Sequence, residues 1–100
     1  MLFEWDEAKR QGNLAKHGVD LLDAALIFER MTMTARDNRR DYGEPRYKAV
    51  GIADGVCYVV VYTLRGDAVR LIAAWKGGRN VRRDYEARVA RGYPGDEDAG

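Results

Sequence analysis

Eight residues in the second half of this 100-residue chain carry the side chains needed to hold and cut a polyanion: Arg65, Arg70, Trp75, Lys76, Arg79, Arg82, Arg83 and Tyr85. Arginine presents a fixed fork of donors that fits a phosphate, and aromatic rings stack on unpaired bases. The combination suits single-stranded RNA better than a helix reading base edges in duplex DNA. The same pattern equally describes a basic amphipathic helix whose aromatic residues are core, so composition alone leaves both readings open. The one histidine, His17, is the side chain type best suited to moving a proton near neutral pH. In Lys16-His17-Gly18, however, it stands where a helix would end. Cations there meet the negative end of the helix dipole and glycine takes the left-handed turn. The expectation is that His17 closes a helix.

The elements that must position these residues follow from the pattern of apolar positions. Asp6 can cap a first helix that ends near Lys16 or His17. Asp20 starts a second, in which Leu21, Leu22, Ala24, Ala25, Ile27 and Phe28 form a wide apolar face. Met31 to Arg36 reads as a strand and Asp37 to Pro45 as a loop. Arg46 to Ala53, Val56 to Leu64 and Ala68 to Trp75 read as three further strands, joined by tight hairpins at Asp54-Gly55 and Gly66-Asp67. With two-residue loops, Val50, Ile52, Cys57, Val59, Val61 and Ile72 share one face, with Arg46, Lys48, Thr63 and Arg70 toward one end. Tyr47, Tyr58, Tyr62, Leu64, Val69, Leu71 and Trp75 share the other, beside Ala49, Gly51 and Ala73. Neither face is polar, so both need cover. Phe3 and Trp5 fit an edge segment packed on the core. After Gly77-Gly78, the four-residue spacing of Val81, Tyr85 and Val89 marks a C-terminal helix. The fold expected is α+β, with two N-terminal helices, a four-stranded antiparallel sheet and a C-terminal helix. Residues 1–91 form a single domain, and 92–100 form an acidic flexible tail.

Composition narrows the function. The chain is 46% hydrophobic and 33% charged, and its longest apolar run, Val56 to Val61, is too short to cross a bilayer. Met1 leads straight into an acidic segment, so no signal peptide is expected and the cytoplasm is the default compartment. A lone cysteine, Cys57, rules out an internal disulfide or a cysteine zinc cluster. The formal net charge of +1 hides an asymmetry: the first 91 residues carry 17 basic against 13 acidic groups, and five arginines fall between Arg79 and Arg91. Such a distribution favours a polyanionic partner. There is no phosphate loop, nucleophile elbow or paired acidic motif beside a histidine, which argues against nucleotide hydrolysis and metalloprotease chemistry.

Taken together, Phe3-Glu4-Trp5-Asp6, Lys9, Asn13, Lys16-His17-Gly18-Val19, Phe28, Gly43-Glu44 with Arg46, Gly51, Val59-Val60-Val61-Tyr62-Thr63, Arg70 with Ile72, and Tyr85-Glu86 resemble the BrnT family of toxins. The resemblance runs from Phe3 to Glu86. It implies a RelE-like ribonuclease fold and a type II toxin–antitoxin system. The implied activity is an endoribonuclease that blocks translation by cutting RNA, with no cofactor and no metal. The implied partner is a BrnA-type ribbon-helix-helix antitoxin, through which alone the toxin would meet DNA. Two positions depart from the family pattern. Members usually read arginine-isoleucine-isoleucine-serine-alanine-arginine after the last strand begins, with a glutamate six residues beyond. Here the segment is Arg70-Leu71-Ile72-Ala73-Ala74-Trp75, and Val81 stands at the glutamate position. A degenerate member that binds antitoxin or RNA without cutting is therefore the alternative.

A metal-free ribonuclease needs a base for the 2′-hydroxyl proton, cations around the phosphate and an acid for the leaving 5′-oxygen. The products are a 2′,3′-cyclic phosphate and a 5′-hydroxyl. The resemblance and the charge pattern together assign Arg70 and Arg79 to the phosphate and Lys76 or Tyr85 to proton transfer. Arg65, Arg82, Arg83 and Trp75 then become RNA contacts.

Overall fold

A computed structural model describes residues 1–92, so the expected acidic tail lies outside the described residues except for Gly92. The chain runs β1 (Leu2–Trp5), α1 (Glu7–His17), α2 (Leu21–Ala24) with a 3-10 turn over Ala25–Glu29, β2 (Met33–Arg36), β3 (Tyr47–Ala53), β4 (Val56–Arg65), β5 (Ala68–Lys76) and α3 (Arg79–Ala90). The class is α+β, with three helices and a five-stranded mixed sheet ordered β1-β5-β4-β3-β2. Among the described residues, no helix is long and apolar enough to cross a membrane.

The capping chemistry fixes the helices. Asp6 accepts a hydrogen bond from the Lys9 amide at the start of α1, and Gly18, at φ 68°, donates its amide to the Leu14 carbonyl at the end. Lys16 and His17 thus occupy the last turn before a left-handed glycine, as their spacing suggested. Asp20 caps α2 through the Leu22 amide and receives the Arg10 guanidinium at 2.9 and 2.8 Å. Those hydrogen bonds, chiefly from Arg10, hold the Asp20 carboxyl down at about 2.

Three expectations need correction, two of which concern the elements themselves. The second helix keeps α geometry for only four residues and then tightens into the 3-10 turn. That turn seats Ile27 against β3 at Gly51, where a Cβ would lie 2.8 Å from the Cβ of Ile27, so only glycine admits the approach. The sheet is also neither four-stranded nor wholly antiparallel, because Leu2–Trp5 adds a fifth strand parallel to β5. A four-residue segment has too few alternations to announce a strand. Phe3 and Trp5 do pack against the core, from an edge.

Both hairpins have the expected two-residue loops, with Ala53 opposite Val56 and Arg65 opposite Ala68. The face assignment nevertheless fails for the end of β5. Val61 pairs with Ala73 but Tyr62 pairs with Leu71, so Ile72 is an extra residue in a β-bulge. The bulge turns Ala73 and Trp75 onto the face opposite the one their alternation suggested, and Trp75 lies across from Val59.

The main core lies between the sheet and the N-terminal helices. Leu21, Ala24 and Ile27 meet Ala49, Val60, Tyr62, Val69, Leu71 and Ala74 there. A smaller cluster on the other face joins Val50, Cys57, Val59 and Trp75 to Val81 and Tyr85 of α3.

Candidate functional site

Helix α3 covers only one half of its face of the sheet. Gly77 makes the close approach possible, since a Cβ there would lie 2.7 Å from the Cys57 sulfur. Tyr85 then anchors the helix, packing on Val50, Cys57 and Val59 and donating its hydroxyl to the Met31 carbonyl at 2.6 Å. Burial pushes both the Tyr85 phenol and the Cys57 thiol up, so both are protonated at neutral pH.

The other half of this face carries charge, ordered by strand register. Glu4, Arg70 and Thr63 stand in line across β1, β5 and β4, and Arg46 follows just before β3. One row further in, Ala35, Lys48, Val61 and Ala73 align; the next row holds Met33, Val50, Val59 and Trp75. Arg70 pairs with Glu4 at 3.2 Å, and Thr63 donates to the Pro45 carbonyl at 2.6 Å.

The loop between β2 and β3 brings more cations to this half. The Asp37 amide bonds the Arg46 carbonyl at 2.7 Å, extending the pairing of β2 with β3. The fully buried Asp37 carboxylate accepts from the Arg39 guanidinium at two 2.8 Å contacts and from the Arg39 amide. That partnership holds the Asp37 carboxyl at about 2 and fixes Arg39, whose guanidinium lies 5.8 Å from the Trp75 ring centre. Arg46 stacks 4.1 Å over Tyr42, and Glu44 faces both Arg46 and Arg65, at 3.9 and 3.6 Å.

Trp75 also touches the single histidine, with ring centres 5.8 Å apart. Asn13 explains how α1 reaches it. Because β1 pairs with β5 only as far as Leu71, the outer edge of β5 is exposed beyond that point. The buried Asn13 amide occupies that edge, accepting from the Ala74 N–H and donating to the Ala74 and Val19 carbonyls. Asn13 replaces a strand there, and His17, one turn on, meets the residue after Ala74.

Of the site residues expected from sequence, the structure brings Arg70 and Trp75 to this face. Arg65 lies at the end of β4 against Glu44. Arg79 is exposed at the start of α3, while Arg82 donates to the Gly55 carbonyl and pairs with Glu86, and Arg83 donates to Asn80. Lys76 stands opposite Tyr58, on the face of the N-terminal helices, and Tyr85 is bound into the core. Sequence reasoning assigns no functional role to Arg39 or Lys48, and it reads His17 as a helix stop in preference to a proton carrier. The grouping of Lys48 and Arg46 with Arg70 was legible in the hairpin register, whereas Arg39 sits in a loop with no periodicity to read. Beside the charged half, an apolar groove of about 260 Å³ runs between the sheet and α3, lined by Met33, Lys48, Val50, Trp75, Val81 and Asp84 among others.

A sequence model of one protein family, described as ribonuclease toxin, BrnT, of type II toxin-antitoxin system, matches residues 5–80. The match spans the charged half of the face and stops in the first turn of α3. No curated protein matches the chain.

Proposed function

Given that this chain belongs to the BrnT family of ribonuclease toxins of type II toxin–antitoxin systems, we propose that it cuts RNA without a metal on the half of the sheet that α3 leaves open. Membership implies an RNA substrate and an antitoxin partner. The finer reading is of a single domain acting in the cytoplasm. It arrests translation by cleaving RNA and is neutralised by a BrnA-like ribbon-helix-helix antitoxin that alone contacts DNA.

One observation carries the choice of site: Arg46, Lys48 and Arg70 stand in adjacent rows of one face, beside an aromatic residue flanked by Arg39 and His17. In the reaction the 2′-oxygen attacks the adjacent phosphorus and loses its proton to a base. The P–O5′ bond breaks, and the departing 5′-oxygen takes a proton from an acid. Arg70 and Lys48 neutralise the charge growing on the phosphate oxygens. Arg79 and Arg65, with Arg82 and Arg83, hold flanking phosphates. Of the proton carriers expected from sequence, Tyr85 is engaged with the Met31 carbonyl and Lys76 stands on the other face. We assign proton transfer to His17, since imidazole both takes and gives a proton near neutral pH.

The test is to incubate the purified protein with RNA in excess chelator and analyse the new ends. Cleavage to 2′,3′-cyclic phosphate and 5′-hydroxyl termini is expected; RNA left intact would contradict it. A second reading is favoured by Trp75 and Val81 lying together in the apolar groove, where the family pattern has arginine and glutamate. In that case the chain binds RNA and antitoxin without cutting, and the same assay returns intact RNA that co-purifies with the protein.

A further inference from the structure

The apolar groove beside the charged half has dimensions and chemistry of its own. Its volume of about 260 Å³ suits one nucleobase and is too small for a base pair. Trp75 forms one wall, and Met33, Val50, Val59 and Val81 supply apolar contact. The exposed residue Asp84 contributes a carboxylate to the lining from α3, and Lys48 contributes an ammonium from β3, in the row toward the charged half. The Arg39 guanidinium already sits over the Trp75 ring, and a planar base can add to or replace that stack.

We propose that this groove receives one unpaired guanine of the RNA, stacked on Trp75 and read by Asp84; the proposal rests on the reading of RNA as the substrate. The choice among bases follows from the acceptor-only character of an ionised carboxylate. Guanine offers two adjacent donors on its Watson–Crick edge, N1–H and N2–H, which a carboxylate accepts in parallel. Adenine and cytosine set one donor beside an acceptor lone pair, and uracil flanks its one donor with two carbonyls. A carboxylate opposite those lone pairs is repelled, so Asp84 both selects guanine and disfavours the rest. Lys48, on the sheet side of the groove, takes a phosphate of the same strand.

The test uses the full chain and 2′-O-methyl hexamers, which cannot be cut, each with one guanine, inosine, adenine or cytosine in a uridine background. Isothermal titration calorimetry gives affinity, and the Trp75 indole resonance reports stacking. The guanine hexamer should bind about ten- to a hundredfold more tightly than the adenine, cytosine and all-uridine ones. Inosine, which lacks the 2-amino group, should fall between. Asp84→Asn should abolish the preference, weakening the guanine hexamer and tightening the all-uridine one as the repulsion is lost, and the folded Trp75→Phe variant should keep the base order at reduced affinity. Guanosine monophosphate alone should bind far more weakly than the hexamer, because it lacks the strand that Lys48 and the arginines hold. Equal binding of all hexamers, a preference that survives Asp84→Asn, or guanosine monophosphate binding as tightly as the hexamer would overturn the guanine assignment and leave the RNA reading standing. Failure of every hexamer to bind would overturn both.

Discussion

The two faces of the sheet bury their side chains to different ends. Under α1 and α2 the core is built almost entirely of apolar side chains, with Asn13 buried among them, and Leu21, Ile27, Val60 and Leu71 are almost wholly excluded from water. Under α3 only the Cys57 end is sealed, and the rest of the face carries Arg46, Lys48, Thr63 and Arg70 beneath an arginine-rich loop. One sealed face supplies most of the hydrophobic stabilisation. The second face can then keep charges that would be costly to bury. Substitutions on the first should therefore act on stability, and those on the open half of the second on RNA.

The largest effect belongs to the sealed face. Leu71→Ala should lower unfolding free energy by about 2–5 kcal/mol in a urea titration; a loss well under 1 kcal/mol would show that this face is not the core. Asn13→Ala comes next, because it leaves the Ala74 amide and carbonyl buried without partners. About 1–3 kcal/mol is expected, together with displacement of the His17 and Trp75 resonances. An Asn13→Ala protein with unmoved ring signals would detach the histidine from this argument.

Smaller effects come from the two carboxylates held near 2, against an ordinary value of 3.8. A carboxyl held below its unfolded value adds stability at every pH above that value and loses it as the pH falls. Each of Asp20 and Asp37 should contribute about 1 kcal/mol above pH 4, disappearing toward pH 2. Stability curves of Asp20→Asn and Asp37→Asn should accordingly converge on wild type in acid, and curves that stay parallel would refute the ion-pair origin. The smallest stability change is expected for Lys48→Ala, within about 0.5 kcal/mol. RNA affinity should still weaken, and the slope of log affinity against log salt should fall by about one.

How much of this could be read from the chain depends on the range of each signal. Caps, hairpins and the α3 stripe are local, and Asp6, Asp20, Gly18 and the two turns lie where their chemistry places them. The parallel strand Leu2–Trp5 is a long-range pairing that no local pattern encodes. Trp75 shows the cost of one unseen residue: alternation put it beside Tyr58, and the bulge at Ile72 turned it over. Tyr85 kept the four-residue spacing of a buried stripe, and its hydroxyl serves the Met31 carbonyl. Asn13 stood in the family pattern without an evident role, because its partner is 61 residues away.

The comparison of faces is tested most directly by the RNA cleavage rate of Arg70→Ala measured beside its unfolding free energy. The Arg70–Glu4 pair is partly exposed, so stability should change by less than about 1 kcal/mol. Cleavage should fall by about a hundredfold or more. A folded Arg70→Ala protein that cuts RNA at the wild-type rate would contradict the assignment of this half of the sheet to the reaction.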